Sequence, residues 1–271
     1  MNTELVVKNI RKEFKDYMGR TKLDLVVLGV SGGIDSALIA ALVRPVCDEL
    51  GIGLVGLSLP AGSNKPEEVD RANRIGATLC HKFREINIQK AFEDMVKNMN
   101  FTCVGTFIEE GSKQHKIALG NIKARIRMIT LYNEAYMNRG LVLSTDNLTE
   151  YHLGFWTLHG DVGDLALIQN LWKMEVYDIA KWICRNEYTE SDGRYKALND
   201  CILAVPTDGL GITSSDTEQL GLPTYEEVDK EIKNCLDPNA HGINTVIMNR
   251  MKGTQYKREN PYNVPRERII A

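Results

Sequence analysis

No apolar run in the sequence is long enough to cross a bilayer as a helix, which takes about 20 consecutive apolar residues. No C-x-x-C pair occurs either. The six cysteines, Cys47, Cys80, Cys103, Cys184, Cys201 and Cys235, are widely scattered, a pattern that suits buried free thiols better than zinc ligands or a redox couple. An excess of positive charge is also missing: 33 Lys and Arg against 36 Asp and Glu give a net charge of −3, so nothing draws the whole surface to nucleic acid. With no Pro- or Ser-rich linker to divide it, the chain is expected to form one domain over residues 1–271. The first residues, MNTELVVKNIRKEFKDY, alternate apolar and charged positions at helical spacing and carry no signal-peptide core, so a cytoplasmic location is expected. Hydrophobic content of 43% and charged content of 25% are those of an ordinary globular protein.

Leu23 to Ser36, LDLVVLGVSGGIDS, organises the chain. Leu25 to Leu28 read as a strand buried on both faces, and they feed into Ser31-Gly32-Gly33-Ile34-Asp35-Ser36. Glycines without a Cβ let several backbone N–H groups turn toward one point, and Ser31 and Ser36 add hydroxyls there. Ala37 to Leu42 continue as a helix whose N-terminal dipole faces the same anion. Asp35 would repel a phosphate unless a cation lay between them, so its natural role is to hold Mg²⁺ against a pyrophosphate. The loop lacks the Lys of G-x-x-x-x-G-K-[ST] and the spacing of G-x-G-x-x-G. It resembles the PP-loop, the SGGxDS signature of ATP pyrophosphatases.

Along the chain, residues 3–19 predict a helix, and Pro45 is expected to kink or end the helix after the phosphate loop. Gly53 to Leu59 predict a second buried strand, Pro66 to Ile75 a helix start, and Phe83 to Ile88 a weaker strand followed by a helix through Met99. Strand, helix and strand in succession imply a right-handed parallel crossover with ligands beyond the carboxyl ends of the strands. Cys103 to Ser112 read as a surface loop. A helix is predicted over Gly120 to Asn138, with Lys123, Arg125 and Arg127 near its beginning, where the dipole disfavours cations. An anionic ligand or a partner subunit would compensate; a solvated basic face is the alternative.

Leu141 to Ser144 predict a strand that ends in Thr145-Asp146-Asn147-Leu148-Thr149-Glu150, in ligand position. Asp146 and Glu150 read as helix-start acids, and Glu150 equally as a second metal carboxylate opposite Asp35. Gly154 to Asp164 is too aromatic for a flexible tail and fits a closing loop. Lys173 opens a helix through Cys184, an unfavourable place for a lysine unless it meets phosphate. Residues 186–201 show no periodicity and read as an excursion. Ser214 to Glu218 fit a mobile lid and a disordered loop equally well. Helices are predicted over Tyr225 to Leu236 and Gly242 to Lys252, before a basic tail from Gln255 to Pro261.

The ordered series SGGIDS, LSLP, NIKARIRM, STDNLTE, GFWTLHGDVGD, LWK, PTDGL, SSDTEQLG and YKRENP resembles the ammonia-dependent NAD synthetases along nearly the whole chain. The resemblance implies an α/β fold, a doubly wound parallel sheet with helices on both faces, of adenine nucleotide alpha-hydrolase-like type. It also implies a ligase that works as a homodimer with its substrate site at the interface. No glutaminase part precedes the matching segments, so free ammonia is the expected nitrogen source. Position by position, Gly29, Val30, Ser31, Gly32, Gly33, Ile34, Asp35 and Ser36 match the ATP phosphate site, and Asp35 and Glu150 match the two Mg²⁺ ligands. Ser58, Thr145, Lys173 and Thr207 match ATP contacts; Arg125, Asp164, Tyr256 and Lys257 match positions that bind deamido-NAD. Asp35 and Lys173 are the expected catalytic residues.

This sequence departs from the family pattern at Leu158, where a substrate-binding lysine is usual. Tyr256 stands for a histidine and Ser58 for an arginine near adenine, and the Gly-Asp loop is one residue shorter. The implied reaction adenylates the nicotinate carboxylate of deamido-NAD with release of pyrophosphate, and ammonia then displaces AMP. The alternatives are a PP-loop ligase acting on another carboxylate and a nucleotide-binding regulatory protein without turnover.

Overall fold

Apolar residues that run unbroken through a strand need cover on both faces, and the central strands have it. The computed structural model describes residues 1–99, 108–207 and 217–270. In chain order these form α1 (Thr3–Thr21), β1 (Leu25–Gly29), α2 (Ile34–Leu50), β2 (Gly53–Ser58), α3 (Pro66–Leu79), β3 (Lys82–Glu85), α4 (Gln89–Asn98) and α5 (Lys113–Met137). There follow β4 (Gly140–Ser144), α6 (Leu148–Leu153), β5 (Leu165–Ala166), α7 (Lys173–Glu187), α8 (Gly193–Leu203), α9 (Tyr225–Leu236), α10 (Thr245–Gly253) and α11 (Gln255–Arg258). The five strands are all parallel in the order β3-β2-β1-β4-β5, with Leu25 opposite both Gly53 and Gly140.

Side chains alternate across the sheet, as the strand period of two requires. Val26, Leu28, Leu54, Leu141 and Leu143 join a core with α1, α2, α7 and α8, whereas Val27, Val55, Leu57 and Val142 face α4 and α5. A third, smaller core gathers Leu153, Tyr225, Val228, Ile232, Ile247 and Met251 from α6, α9 and α10. Because β2 and β4 flank β1 on opposite sides, chain direction reverses about β1, and a crevice opens beyond the tips of β1 and β4. Among the described residues no helix is long and apolar enough to cross a membrane. Cys47, Cys80, Cys184 and Cys201 are buried free thiols, as expected, and Cys235 is half-buried and free. Cys103 lies outside the described residues.

Four local expectations are corrected. Pro45 neither ends nor interrupts α2, which continues to Leu50. The ring costs about 3 kcal/mol inside a helix, but Val43, Val46 and Cys47 are all buried around it, and each large apolar side chain buried returns about 1.5–3 kcal/mol. α5 begins at Lys113, capped by Ser112 Oγ accepting from His115 N at 3.2 Å. Lys123, Arg125 and Arg127 therefore sit mid-helix, where the terminal dipole no longer acts. Residues 186–201 are no excursion: they contain most of α8, capped by Asp192 and buried only at Ala197, Leu198 and Cys201, too narrow a face to show as periodicity. The fourth correction is of length, since the strand predicted over Phe83 to Ile88 is the shorter β3, with mostly exposed side chains. Ser214 to Asp216, the first part of the expected lid, and residues 103–107 of the expected loop lie outside the described residues.

Candidate active site

Gly32 makes the phosphate loop possible. Its φ is +81°, and a Cβ there would stand 2.2 Å from the Glu68 carbonyl oxygen of α3. Only glycine meets both conditions. Gly33 N donates to Ser31 Oγ at 3.2 Å, and Ser36 Oγ donates to the Gly33 carbonyl at 3.2 Å and lies 3.2 Å from Ser31 Oγ. Ser36 is buried and so braces the loop from behind; it does not line the cavity. No side chain caps the start of α2, which leaves its first N–H groups for an anion.

Across the crevice, Asn147-Leu148-Thr149-Glu150 forms a capping box. Asn147 Oδ1 accepts from Glu150 N at 3.0 Å and Glu150 Oε2 accepts from Asn147 N at 3.3 Å. The box fixes the Glu150 carboxylate and leaves its Oε1 for Lys173. Lys173 Nζ donates to Asp35 Oδ2 at 2.5 Å and to Glu150 Oε1 at 3.1 Å, while Asn147 Nδ2 donates to Asp35 Oδ1 at 2.8 Å. The lysine predicted to meet phosphate thus meets two carboxylates in the ligand-free chain. Burial works against its charge, but Asp35 and Glu150 outweigh burial and hold the ammonium well above the ordinary lysine range. Burial, with Asp35 adding to it, pushes Glu150 up to about 7 in spite of Lys173.

Lys173 is aimed from below by α9. Asp229 Oδ2 accepts from Met174 N at 3.0 Å, and Asp229 Oδ1 accepts from Thr149 Oγ1 at 2.5 Å, which in turn accepts from Lys173 N at 2.9 Å. This carboxylate caps α7 from outside its own segment, so no local cap signal announced it.

Gly29 to Asp35, Ser58, Thr145, Glu150, Lys173, Thr207 and Lys257 line one cavity of about 450 Å³. Lys257 holds the closing loop, donating to the carbonyls of Gly154 at 2.8 Å and Trp156 at 2.5 Å. Thr207 Oγ1 donates to Glu68 Oε1 at 2.6 Å. Three expected substrate residues are not brought into the cavity. Arg125 is exposed and donates to the Leu158 carbonyl at 3.1 Å. The Asp164 carboxylate accepts from Val142 N at 2.8 Å and pins the loop to β4. Tyr256 is 61% exposed on α11. In their place the cavity contains Arg127, one of the three basic residues for which an anionic ligand was expected, together with Asn64 and Glu68, whose roles the sequence did not announce. Gly120, Ala124, Arg127 and Leu131 recur at helical spacing and all line the cavity, which is the local signal that sets Arg127 apart from Arg125.

A family model described as NAD synthase matches residues 6–261. The NH(3)-dependent NAD(+) synthetase of Finegoldia magna is 30% identical over 261 residues, 96% of this chain and 95% of that one. Among solved structures, NMN synthetase from Francisella tularensis superposes with a TM-score of 0.77 at 22% identity, covering 98% of this chain and 99% of that one. The NH3-dependent NAD synthetase from Campylobacter jejuni gives 0.67 at 25% identity, covering 98% and 100%. At 22% identity the Francisella likeness is one of fold. A match over nearly the whole length, on a parallel sheet with a phosphate loop at its switch point, establishes that the chain belongs to the NAD synthase family.

Proposed function

We propose that this protein is a ligase that amidates deamido-NAD with ammonia at the expense of ATP, yielding NAD, AMP and pyrophosphate. One observation carries the reading: Asp35, Glu150 and Lys173 converge on one point above a phosphate loop. The loop N–H groups and the start of α2 bind the terminal phosphates. The substrate carboxylate forms a bond to the α-phosphorus while the bond to pyrophosphate breaks; ammonia then adds to the acyl carbon and AMP leaves. Lys173 follows the charge that grows on the departing pyrophosphate, an electrostatic role that needs no covalent nucleophile.

The residues fit a magnesium ion. Asp35 Oδ2 and Glu150 Oε1 already share one cation, the Lys173 ammonium, and two carboxylates plus phosphate oxygens are the usual hard donor set for Mg²⁺. When bound there, Mg²⁺ would supply positive charge to the phosphates. Asp35 and Glu150 would hold it and Asn147 would orient Asp35.

Thr145, Ser58 and Thr207 complete the ATP side, and Lys257 the acyl side. A homodimer is part of the reading: Ile129, Tyr136 and Met137 of α5 are 55%, 85% and 73% exposed, an apolar stripe suited to a second copy. Arg125 lies on the same outer face, and such a dimer would return it to a substrate site. Sedimentation of the wild type beside Tyr136→Glu tests this, a monomeric wild type being the contrary result. The buried free thiols accord with work in a reducing cytoplasm.

The placement of Arg125, Asp164 and Tyr256 outside the cavity favours a second reading, in which the amidated acid is shorter than a dinucleotide. Pyrophosphate release with ATP, Mg²⁺ and ammonia decides between them. Turnover with deamido-NAD supports the first reading, turnover with the mononucleotide acid alone the second, and turnover with neither rejects both.

A further inference from the structure

Six arginines on the described surface have carboxylate partners: Arg11, Arg44, Arg74, Arg84, Arg139 and Arg194 pair with Glu187, Asp48, Asp200, Glu134, Asp24 and Asp192. Arg127, half-buried and lining the cavity, is bonded among the described residues only to neutral groups. Its Nε donates to the Leu59 carbonyl at 3.0 Å and its Nη2 to Asn64 Oδ1 at 3.1 Å. No carboxylate among the described residues comes within ion-pairing distance of it, although burial disfavours its charge and Asp161 and Glu68 act on it from farther away. A guanidinium has five N–H donors, so several remain for a ligand.

Its pose is fixed beforehand. Asn64 Oδ1 also accepts from Ala61 N at 3.0 Å, and Asn64 Nδ2 donates to Glu68 Oε2 at 3.2 Å, so the acceptor that aims Arg127 is itself held at both ends. The neighbouring positions on the same face of α5 locate it. Leu131 reaches within 3.2 Å of a Cβ built on Gly29 at the tip of β1, and the Ala124 Cβ lies 3.1 Å from one built on Gly160 in the closing loop. Arg127 therefore stands between the strand that ends in the phosphate loop and the loop on the acyl side. A half-buried, oriented cation with no carboxylate partner among the described residues is suited to an anionic ligand.

We propose that Arg127 is an anion-binding residue of this cavity, its free N–H donors meeting a phosphate or carboxylate oxygen of a reactant where the two reactants adjoin. The ligand class rests on the ATP-dependent reading given above; the lack of a carboxylate partner for Arg127 among the described residues does not. Arg125, two residues earlier, is turned outward and cannot serve in the same subunit.

Phenylglyoxal labelling of the wild-type protein, read at Arg127 by peptide mass spectrometry, tests this without requiring turnover. Mg–ATP, AMP and deamido-NAD are added separately, each first shown to bind by calorimetry. Protection by the nucleotides assigns the oxygen to a phosphate of ATP, and protection by deamido-NAD alone assigns it to the acyl substrate. Labelling unchanged by every ligand that binds overturns the proposal. Arg127→Gln should weaken the protecting ligand roughly 10- to 100-fold, with part of the loss recovered in Arg127→Lys. Affinities within twofold of wild type would mean a purely structural arginine. If no acid turns over yet ATP protects Arg127, the amidation reading fails and this one stands.

Discussion

Lys173 Nζ lies 2.5 Å from Asp35 Oδ2 across 138 residues of chain, and the same ammonium reaches Glu150. The lysine thus occupies the point at which two carboxylates and a polyphosphate would otherwise need a cation. On the proposed function, ATP arriving with magnesium would draw Lys173 from the carboxylates onto its phosphates, an exchange between anionic partners that leaves no buried charge alone.

Replacing Lys173 with Met should lower turnover roughly 10²–10³-fold, the usual effect of removing one preorganised stabiliser of transition-state charge. Steady-state pyrophosphate release measures it, with near-ultraviolet circular dichroism to show that the chain remains folded. Wild-type turnover would remove Lys173 from the mechanism.

Gly32→Ala and Gly33→Ala should separate sharply. At Gly32 the added methyl meets the Glu68 carbonyl at 2.2 Å and the residue keeps φ at +81°, which costs about 1–2 kcal/mol for the backbone alone and displaces α3 in addition. At Gly33 it meets only Ser31 Oγ, at 3.3 Å, with φ at −92°. Calorimetry should find ATP binding lost in the first variant and nearly kept in the second.

The raised Glu150 carboxyl sets a pH dependence. Its folded value of about 7 lies above the ordinary 4.5, so the folded chain holds this proton more tightly than the unfolded one. Its stabilising contribution is complete below 4.5 and is lost as pH rises toward 7. Ligand-free Glu150→Gln should therefore melt at a progressively higher temperature, relative to wild type, between pH 5 and pH 8. A difference independent of pH would contradict the assignment.

Thr149→Val keeps side-chain shape but strips Asp229 Oδ1 and Lys173 N of their partner. Both Thr149 and Asp229 are buried, so the expected cost is about 1–3 kcal/mol, readable in a denaturant melt. Against an Asp229→Asn background the same change should cost less, because the two residues share one bond.

The sequence by itself determined the parallel sheet, the glycine loop after its first strand and the acidic cap at Glu150, because each is written within a few neighbouring residues. The apolar run from Leu25 to Leu28 needs helices on both faces, Gly32 needs its own φ, and Asn147 finds Glu150 three residues later. Only the tertiary structure decided which charges meet. Pairing Asp35 with Lys173, capping α7 by Asp229 and choosing Arg127 over Arg125 for the cavity all depend on elements far apart in the chain. The phase of α5, set by a start at Lys113 instead of Gly120, moved the basic cluster from a helix end to its middle. Local periodicity shows which residues share a face; what that face meets is fixed by packing the whole sheet and its helices together.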